Sequence, residues 1–265
     1  MPSRPEPDRT AALRDERSDL LRFCADLTDS EWFAASAAPG WQVKDVLAHI
    51  GAGCHSLFTP AAIALLRSKD IERTNDVMVD ARRSWASSAV LDEFTRWSAR
   101  VVRLAGVVAA TPLNALRLPL AELGRFRLDH LLGSALVFDQ HTHLRFDMAP
   151  ALGRDVAPTD DNRMSVVIEW MLAVLGNQLQ RARPDWMDQP VRLELTGLGG
   201  GCWSISGDGT IIAGETQIKP AASIFAAAEQ FPEWGTRRAA WRDRTVTVDG
   251  SHDYGARFLD SMNII

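Results

Sequence analysis

Apolar residues recur at spacings of three and four over most of the first 153 positions, and Gly and Pro fall mainly between those windows, which is the pattern of amphipathic helices. Leu13, Leu20, Leu21 and Cys24 give one face of a first helix that should stop near Thr28-Asp29-Ser30. A second begins after Pro39-Gly40-Trp41 with Val43, Val46, Leu47 and Ile50 as its stripe, and Pro60 should kink or restart it before Ile63, Leu65 and Leu66. A third spans about Ser84 to Ala109, with Leu91, Phe94, Trp97, Val101, Val102 and Val108 among its apolar positions. A fourth is expected from about Ala121 to Met148, ending before Pro150 and Gly153. Four long helices joined by loops predict a four-helix bundle over residues 1–155.

The polar segment Arg154 to Arg163 contains Pro158 and separates two composition regimes, so it reads as a linker. Val166 to Leu179 is a further apolar helix. The period then changes to two: Val191, Leu193 and Leu195 alternate with Arg192, Glu194 and Thr196. Trp203 and Ile205 alternate likewise, Ile211 to Lys219 and Thr245 to Val248 look similar, and glycines 197, 199, 200, 201, 207 and 209 mark turns. An Ala-rich stretch, Ala221 to Phe231, and the closing His252 to Met262 read as helices. Residues 160–265 therefore read as a small α+β domain, giving an overall class of α plus α+β.

Composition narrows the function classes. The chain has 265 residues, 46% of them hydrophobic, which is ample for packed cores and excludes disorder. Lys and Arg number 29 against 34 Asp and Glu, so no excess of cations exists to neutralise a phosphate backbone, and no nucleic-acid partner is expected. No stretch reaches the ~18 uninterrupted apolar residues of a spanning helix, and the charged amino terminus lacks a signal-peptide core, so a cytoplasmic protein without a membrane partner is expected. Cys24, Cys54 and Cys202 are widely separated, without a CxxC pair, and read as small core residues in a reducing compartment.

Five of the six histidines, His49, His55, His130, His141 and His143, lie in the first 143 residues. The segment FDQHTH, residues 138–143, places Asp139 and His143 four apart on one helical face, while His141 points about 200° around the axis. A carboxylate and an imidazole at this spacing can share one divalent metal, the logic by which HExxH binds zinc. His49, mid-helix in VLAHIGA, is the candidate third ligand from a neighbouring helix; a lone histidine on an apolar face is more often a satisfied core residue. Asp45, one turn before His49, either orients that ring or serves as a helix N-terminal acid. Cys54, five residues after His49, lies about 140° round the helix and is a poor ligand candidate.

PGWQVKDVLAHIGA (39–52), followed by VFDQHTHLRFDMAPALGR (137–154), resembles the mycothiol-dependent maleylpyruvate isomerase family, a branch of the DinB-like metal-binding four-helix bundles. The resemblance implies that His49, Asp139 and His143 form a metal triad, with a divalent metal, zinc in expectation, and mycothiol as thiol cosubstrate. Many members carry Glu where Asp139 stands, one methylene longer. LELTGLGGGCWSIS (193–206), KPAASIFAAA (219–228) and VTVDGSHDYGARFLDSM (246–262) are similar in pattern to the sterol-carrier-protein-2-like domain that members often carry.

A metal stabilises a thiolate at neutral pH, which could then add to an electrophilic alkene or displace a leaving group, so the resemblance implies an isomerase or an S-transferase. The other reading is a ligand-binding or regulatory member with a weak or empty metal site, and a third gives the C-terminal domain a lipid or protein surface. A small-molecule thiol and an electrophilic substrate are the expected partners, with homodimerisation left open. Arg125, Arg127 and Arg145 are expected to be solvated, Trp41 and Trp97 to be core or loop anchors, and Asp160-Asp161 to be solvated in the linker. GLGGGCW (197–203) sits between strands and reads as a hairpin turn without a following helix to cradle phosphate.

Overall fold

Helix α1, Arg9–Ala25, begins where Asp8 accepts a hydrogen bond from the Ala11 amide at 2.9 Å, satisfying one of the donors that a helix start leaves open. A single turn, α2 (Asp29–Trp32), follows under a reciprocal capping box between Thr28 and Glu31. Helix α3 spans Val43–Ser56 and α4 spans Ala61–Arg67, and they diverge by 105° at the break containing Pro60. A further helix not foreseen from the sequence, α5 (Ile71–Asp80), is capped by Asp70. Only Ile71 and Val79 of α5 are buried, too few apolar positions for a legible stripe. Helix α6 covers Ser87–Ala109. In this computed structural model residues 6–214 and 216–264 are described.

The fourth long helix starts later than its apolar pattern suggests. Residues 117–127 instead form a hairpin, β1 (Arg117–Leu120) and β2 (Gly124–Arg127), in which Leu118 pairs with Phe126 and Leu120 with Gly124. Pro119 opposes helix here, and Gly124 takes φ +114°, a conformation that glycine adopts without a side-chain clash. The helix then runs without a break from 130 to 152 in four pieces: a π turn His130–Ser134, α7 (Ala135–Thr142), a second π turn His143–Met148 and α8 (Ala149–Leu152). Leu20, Phe23, Val46, Leu47, Ile50, Phe94, Leu144 and Met148 pack in one buried cluster contributed by α1, α3, α6 and the second π turn. Gly51 lets α3 approach α6 closely, since a Cβ there would lie 3.3 Å from the Phe94 amide nitrogen.

Contacts divide the chain at Pro158, leaving Thr159–Ile265 as a second unit. Its long helix α9, Asp161–Ala182, is capped by Asp160, which accepts from the Arg163 amide at 2.9 Å and pairs with the Arg163 guanidinium at 2.6 Å. Asp161 accepts from the Gly199 amide at 3.0 Å. Neither acid is simply solvated, because each completes a backbone hydrogen bond at a helix or turn end.

Five strands follow: β3 (Val191–Thr196), β4 (Gly201–Ile205), β5 (Ile211–Ala213), β6 (Ala222–Ala227) and β7 (Thr247–Gly250). They lie in the order β5-β4-β3-β6-β7, with β3 and β6 parallel and all other neighbours antiparallel. The strand expected over Ile211 to Lys219 stops at Ala213, because Gly214 turns at φ +90° and donates back to the Cys202 carbonyl.

The Ala-rich stretch read as a helix is strand β6. Its residues pair one for one with β3, and Ala222, Ile224 and Ala226 alternate into the core. Alanine is small enough here for α11 (His252–Ser261) to lie close, since a Cβ on Gly255 would sit 3.2 Å from that of Ala222. Val191, Leu193, Leu195 and Ile205 share the core with Met164, Ile168 and Met171 of α9, Phe231 and Trp234 of α10 (Phe231–Gly235), and Phe258 of α11.

Among the described residues no single helix is long and apolar enough to cross a membrane.

Candidate metal centre

His49 comes from the middle of α3, Asp139 from α7 and His143 from the first position of the second π turn, so three elements of the N-terminal unit build the site, the last two in one continuous helix. One potential donor atom from each of the three lies within 4.8 Å of the other two. His49 Nε2 is 3.2 Å and His143 Nε2 is 3.4 Å from the same oxygen, Asp139 Oδ1. The histidine side chains are nearly buried, whereas that of Asp139 is 28% exposed, so solvent or a ligand reaches the cluster on the carboxylate side.

Several observations fit this trio to a divalent metal. Two imidazole nitrogens and a carboxylate oxygen are the donor set of many catalytic zinc sites, which leave one position open. Among the described residues, His49 Nδ1 is buried with no hydrogen-bond partner, and the shared carboxylate is the group that meets the other nitrogen of that ring. Burial opposes ionisation of Asp139, yet the adjacent His49 and His143 outweigh it and pull its carboxyl far below the usual range. Burial also acts to lower His143, but its bonds to Asp139 and Asp147 hold it up to about 9. Asp139 thus stays anionic where a cation would sit, and a bound metal would replace the proton that His143 otherwise holds. The trio could hold a metal ion.

Asp147, overlooked in the sequence, accepts from His143 Nδ1 at 2.6 Å and is itself buried. Its signal was available, since it stands four residues after His143 as Asp139 stands four before. Asp45 does not orient His49. It closes the start of α3 by accepting from the Gln42 amide at 3.0 Å and pairs with Arg83 at 2.9 Å, the N-terminal role that the dipole favours.

Trp41 forms a wall. Its ring centroid lies 5.2 Å from that of His49 and 6.2 Å from that of His143, and its indole N–H donates to Asp76 at 3.0 Å. The loop carrying it is pinned by Val43 N to Ala34 O, by Ser36 N to Trp41 O, and by Ala37 N to Asp147 O at 2.9 Å.

The remaining candidates are placed elsewhere. His141 points away from the trio, as its angle on the helix requires, and its Nδ1 meets the buried Glu16 of α1 at 2.7 Å. Arg145, one turn on, pairs with Glu16 at 2.6 Å and Asp19 at 3.3 Å and is only 12% exposed. It is therefore not a solvated arginine, since the buried acids of α1 require a cation. Arg125 lies in β2 and donates to the Arg117 carbonyl, and Arg127 pairs with Asp129.

His55 stacks on Trp97 at 4.2 Å, so that tryptophan is a ring platform as well as an anchor. His55 also meets the buried Glu93 at 2.7 Å. Cys54 is fully buried, which pushes its thiol up to about 12 and removes it from thiolate chemistry.

Residues 13–125 match the family described as the mycothiol maleylpyruvate isomerase N-terminal domain, a span that includes His49 and ends before Asp139 and His143. No curated protein sequence matches the chain. A crystal structure of a histidine-to-alanine mutant of the mycothiol-dependent maleylpyruvate isomerase is similar over 91% of both chains, with 13% identity and a TM-score of 0.51. The unmutated enzyme is similar over 91% of both chains, with 12% identity and a TM-score of 0.49. Over residues 13–125 the helical N-terminal unit is thus similar to the mycothiol maleylpyruvate isomerase N-terminal domain, and the chain is similar in fold to a mycothiol-dependent maleylpyruvate isomerase.

Proposed function

We propose that the protein is a metal-dependent enzyme that uses a low-molecular-weight thiol, mycothiol in the first instance, for isomerisation or S-transfer on a small electrophilic substrate. The observation that carries this reading is the convergence of His49 Nε2, His143 Nε2 and Asp139 Oδ1 at a partly open carboxylate. His49, Asp139 and His143 would hold the ion, and zinc suits their mixed nitrogen and oxygen donors. A bound divalent ion supplies Lewis acidity, which lowers the pKa of a thiol and makes it a nucleophile at neutral pH.

The chain's own residues contribute position and shape. Asp147 fixes the ring of His143, and Trp41 covers the two imidazoles on one side. Solvent access at Asp139 leaves the approach for thiol and electrophile there. The partners we propose are small molecules, without nucleic acid or membrane, and the compartment is the cytoplasm.

The test begins with elemental analysis of the purified protein. One divalent metal per chain is expected in the wild type and loss of it in His49→Ala and His143→Ala. Metal content that these substitutions leave unchanged would remove the trio from the mechanism. A thiol-transfer assay with mycothiol and a model electrophile follows, where a rate above the metal-stripped control is expected. Equal rates would favour a ligand-binding role for the same fold.

A further inference from the structure

We infer that Asp147 is a positioning residue for the metal centre, holding His143 in the orientation that points Nε2 at the ion and at the same time anchoring the Trp41 wall. The inference rests on the proposed metal reading and adds a residue to it. Three observations carry it. Asp147 is 1% exposed, and its Oδ2 lies 2.6 Å from His143 Nδ1, the nitrogen remote from Asp139. With Nδ1–H donated to this carboxylate, Nε2 is left as the coordinating atom, and it is Nε2 that faces Asp139 at 3.4 Å. The backbone carbonyl of the same residue accepts from Ala37 N at 2.9 Å, in the loop whose Trp41 ring lies against both imidazoles.

The bond lies within a wide turn of the backbone. His143 to Met148 is a π turn, in which hydrogen bonds reach five residues back, and such single wide turns are often found at functional sites. By contrast, His49 Nδ1 has no such partner. The two histidines are therefore unequal: His143 is fixed by a buried anion, and His49 is fixed by its helix and by Trp41.

The experiment compares the full-length wild type with Asp147→Asn, Asp147→Glu and His143→Ala by zinc competition titration and by the visible spectrum of the cobalt-substituted proteins. Asn keeps an acceptor but removes the charge, so zinc affinity should fall about 10- to 100-fold and the cobalt bands should shift. Asp147→Glu, which keeps the anion, should hold zinc more tightly than Asp147→Asn, an order that loss of packing alone would not produce. An Asp147→Asn protein with wild-type affinity and an unchanged cobalt spectrum would overturn the inference while leaving the metal reading intact. Failure of the wild type itself to bind zinc or cobalt would mark the failure of the metal reading. If Asn prevents folding, the Glu variant decides alone: a shifted cobalt spectrum supports the inference, and an unshifted one refutes it.

Discussion

His143 has an acid four residues to either side, Asp139 before it and Asp147 after it, and the two meet different nitrogens of its ring. The first pairing is legible from spacing alone, because i and i+4 share a helical face. The convergence of His49 was legible only as an expectation, since nothing in one helix states which face of another it will meet. Asp147 has the same spacing signal as Asp139, but its effect depends on a wide turn that no side-chain pattern announces.

A different acid, Glu93, predicts the pH response of the bundle. Burial acts to raise it, but Arg82 at 2.5 and 2.7 Å and His55 at 2.7 Å outweigh that, so its folded pKa lies below the ordinary value. A carboxyl depressed in this way contributes stability above its unfolded pKa of about 4.3, and that stability is lost as pH falls through the lower folded value. Glu93→Ala should therefore cost about 1–3 kcal/mol at pH 7 by leaving buried donors unsatisfied. Denaturant titrations from pH 7 down to pH 2 should show that deficit shrinking, and a constant deficit would assign the effect to packing instead.

Helices α1 and α6 are written in their stripes because each buries one face and exposes the other, whereas α3 is buried on nearly every side. The sheet was harder to read. Val191, Leu193 and Leu195 alternate plainly, whereas Ala222 to Ala227 is strand by partnership: its backbone is taken up by β3 and β7, and small side chains admit α11. Tertiary pairing overrides the helix preference of alanine there.

Two substitutions test how the elements meet. Phe94→Ala, in the cluster shared by α3 and α6, should lower stability by about 3–5 kcal/mol in chemical denaturation. Gly209 turns β4 into β5 at φ +85°, and a Cβ there would sit 2.2 Å from the Gly176 carbonyl of α9. Gly209→Ala should therefore cost at least the ~1–2 kcal/mol of a left-handed alanine, plus the displacement of α9. A thermal midpoint equal to wild type would contradict that close approach.

Over the whole chain, the candidate chemistry is confined to one of two compact units, Asp8–Pro158, while the mixed sheet of Thr159–Ile265 contributes none of the three converging residues. Zinc added to the metal-free protein should therefore give its largest gain in amide hydrogen-exchange protection in α3 and in residues 135–148. Protection concentrated instead in β3, β4 and β6 would place the metal elsewhere. The change of period from three and four to two falls beyond α9, well after the division at Pro158. The polar run Arg154 to Arg163 contains that division, although Arg154 pairs with Glu31 at 2.7 Å and Arg145 reaches the Ala157 carbonyl, tying the start of the run to the bundle.

The π turn at His143–Met148 makes chain length itself a determinant of the site. Deleting one residue among Leu144, Arg145 and Phe146 would let the turn tighten to ordinary helix, in which Asp147 would lie three steps of about 100° on from His143 instead of four narrower steps of the wide turn, with the helix beyond nearly in phase. The ligand triad would survive such a deletion, and Asp147 would meet His143 from three positions on instead of four, on an altered approach. The extra residue in the turn therefore acts as a spacer, and a shortened chain would retain every donor while changing the angle at which the anion meets His143.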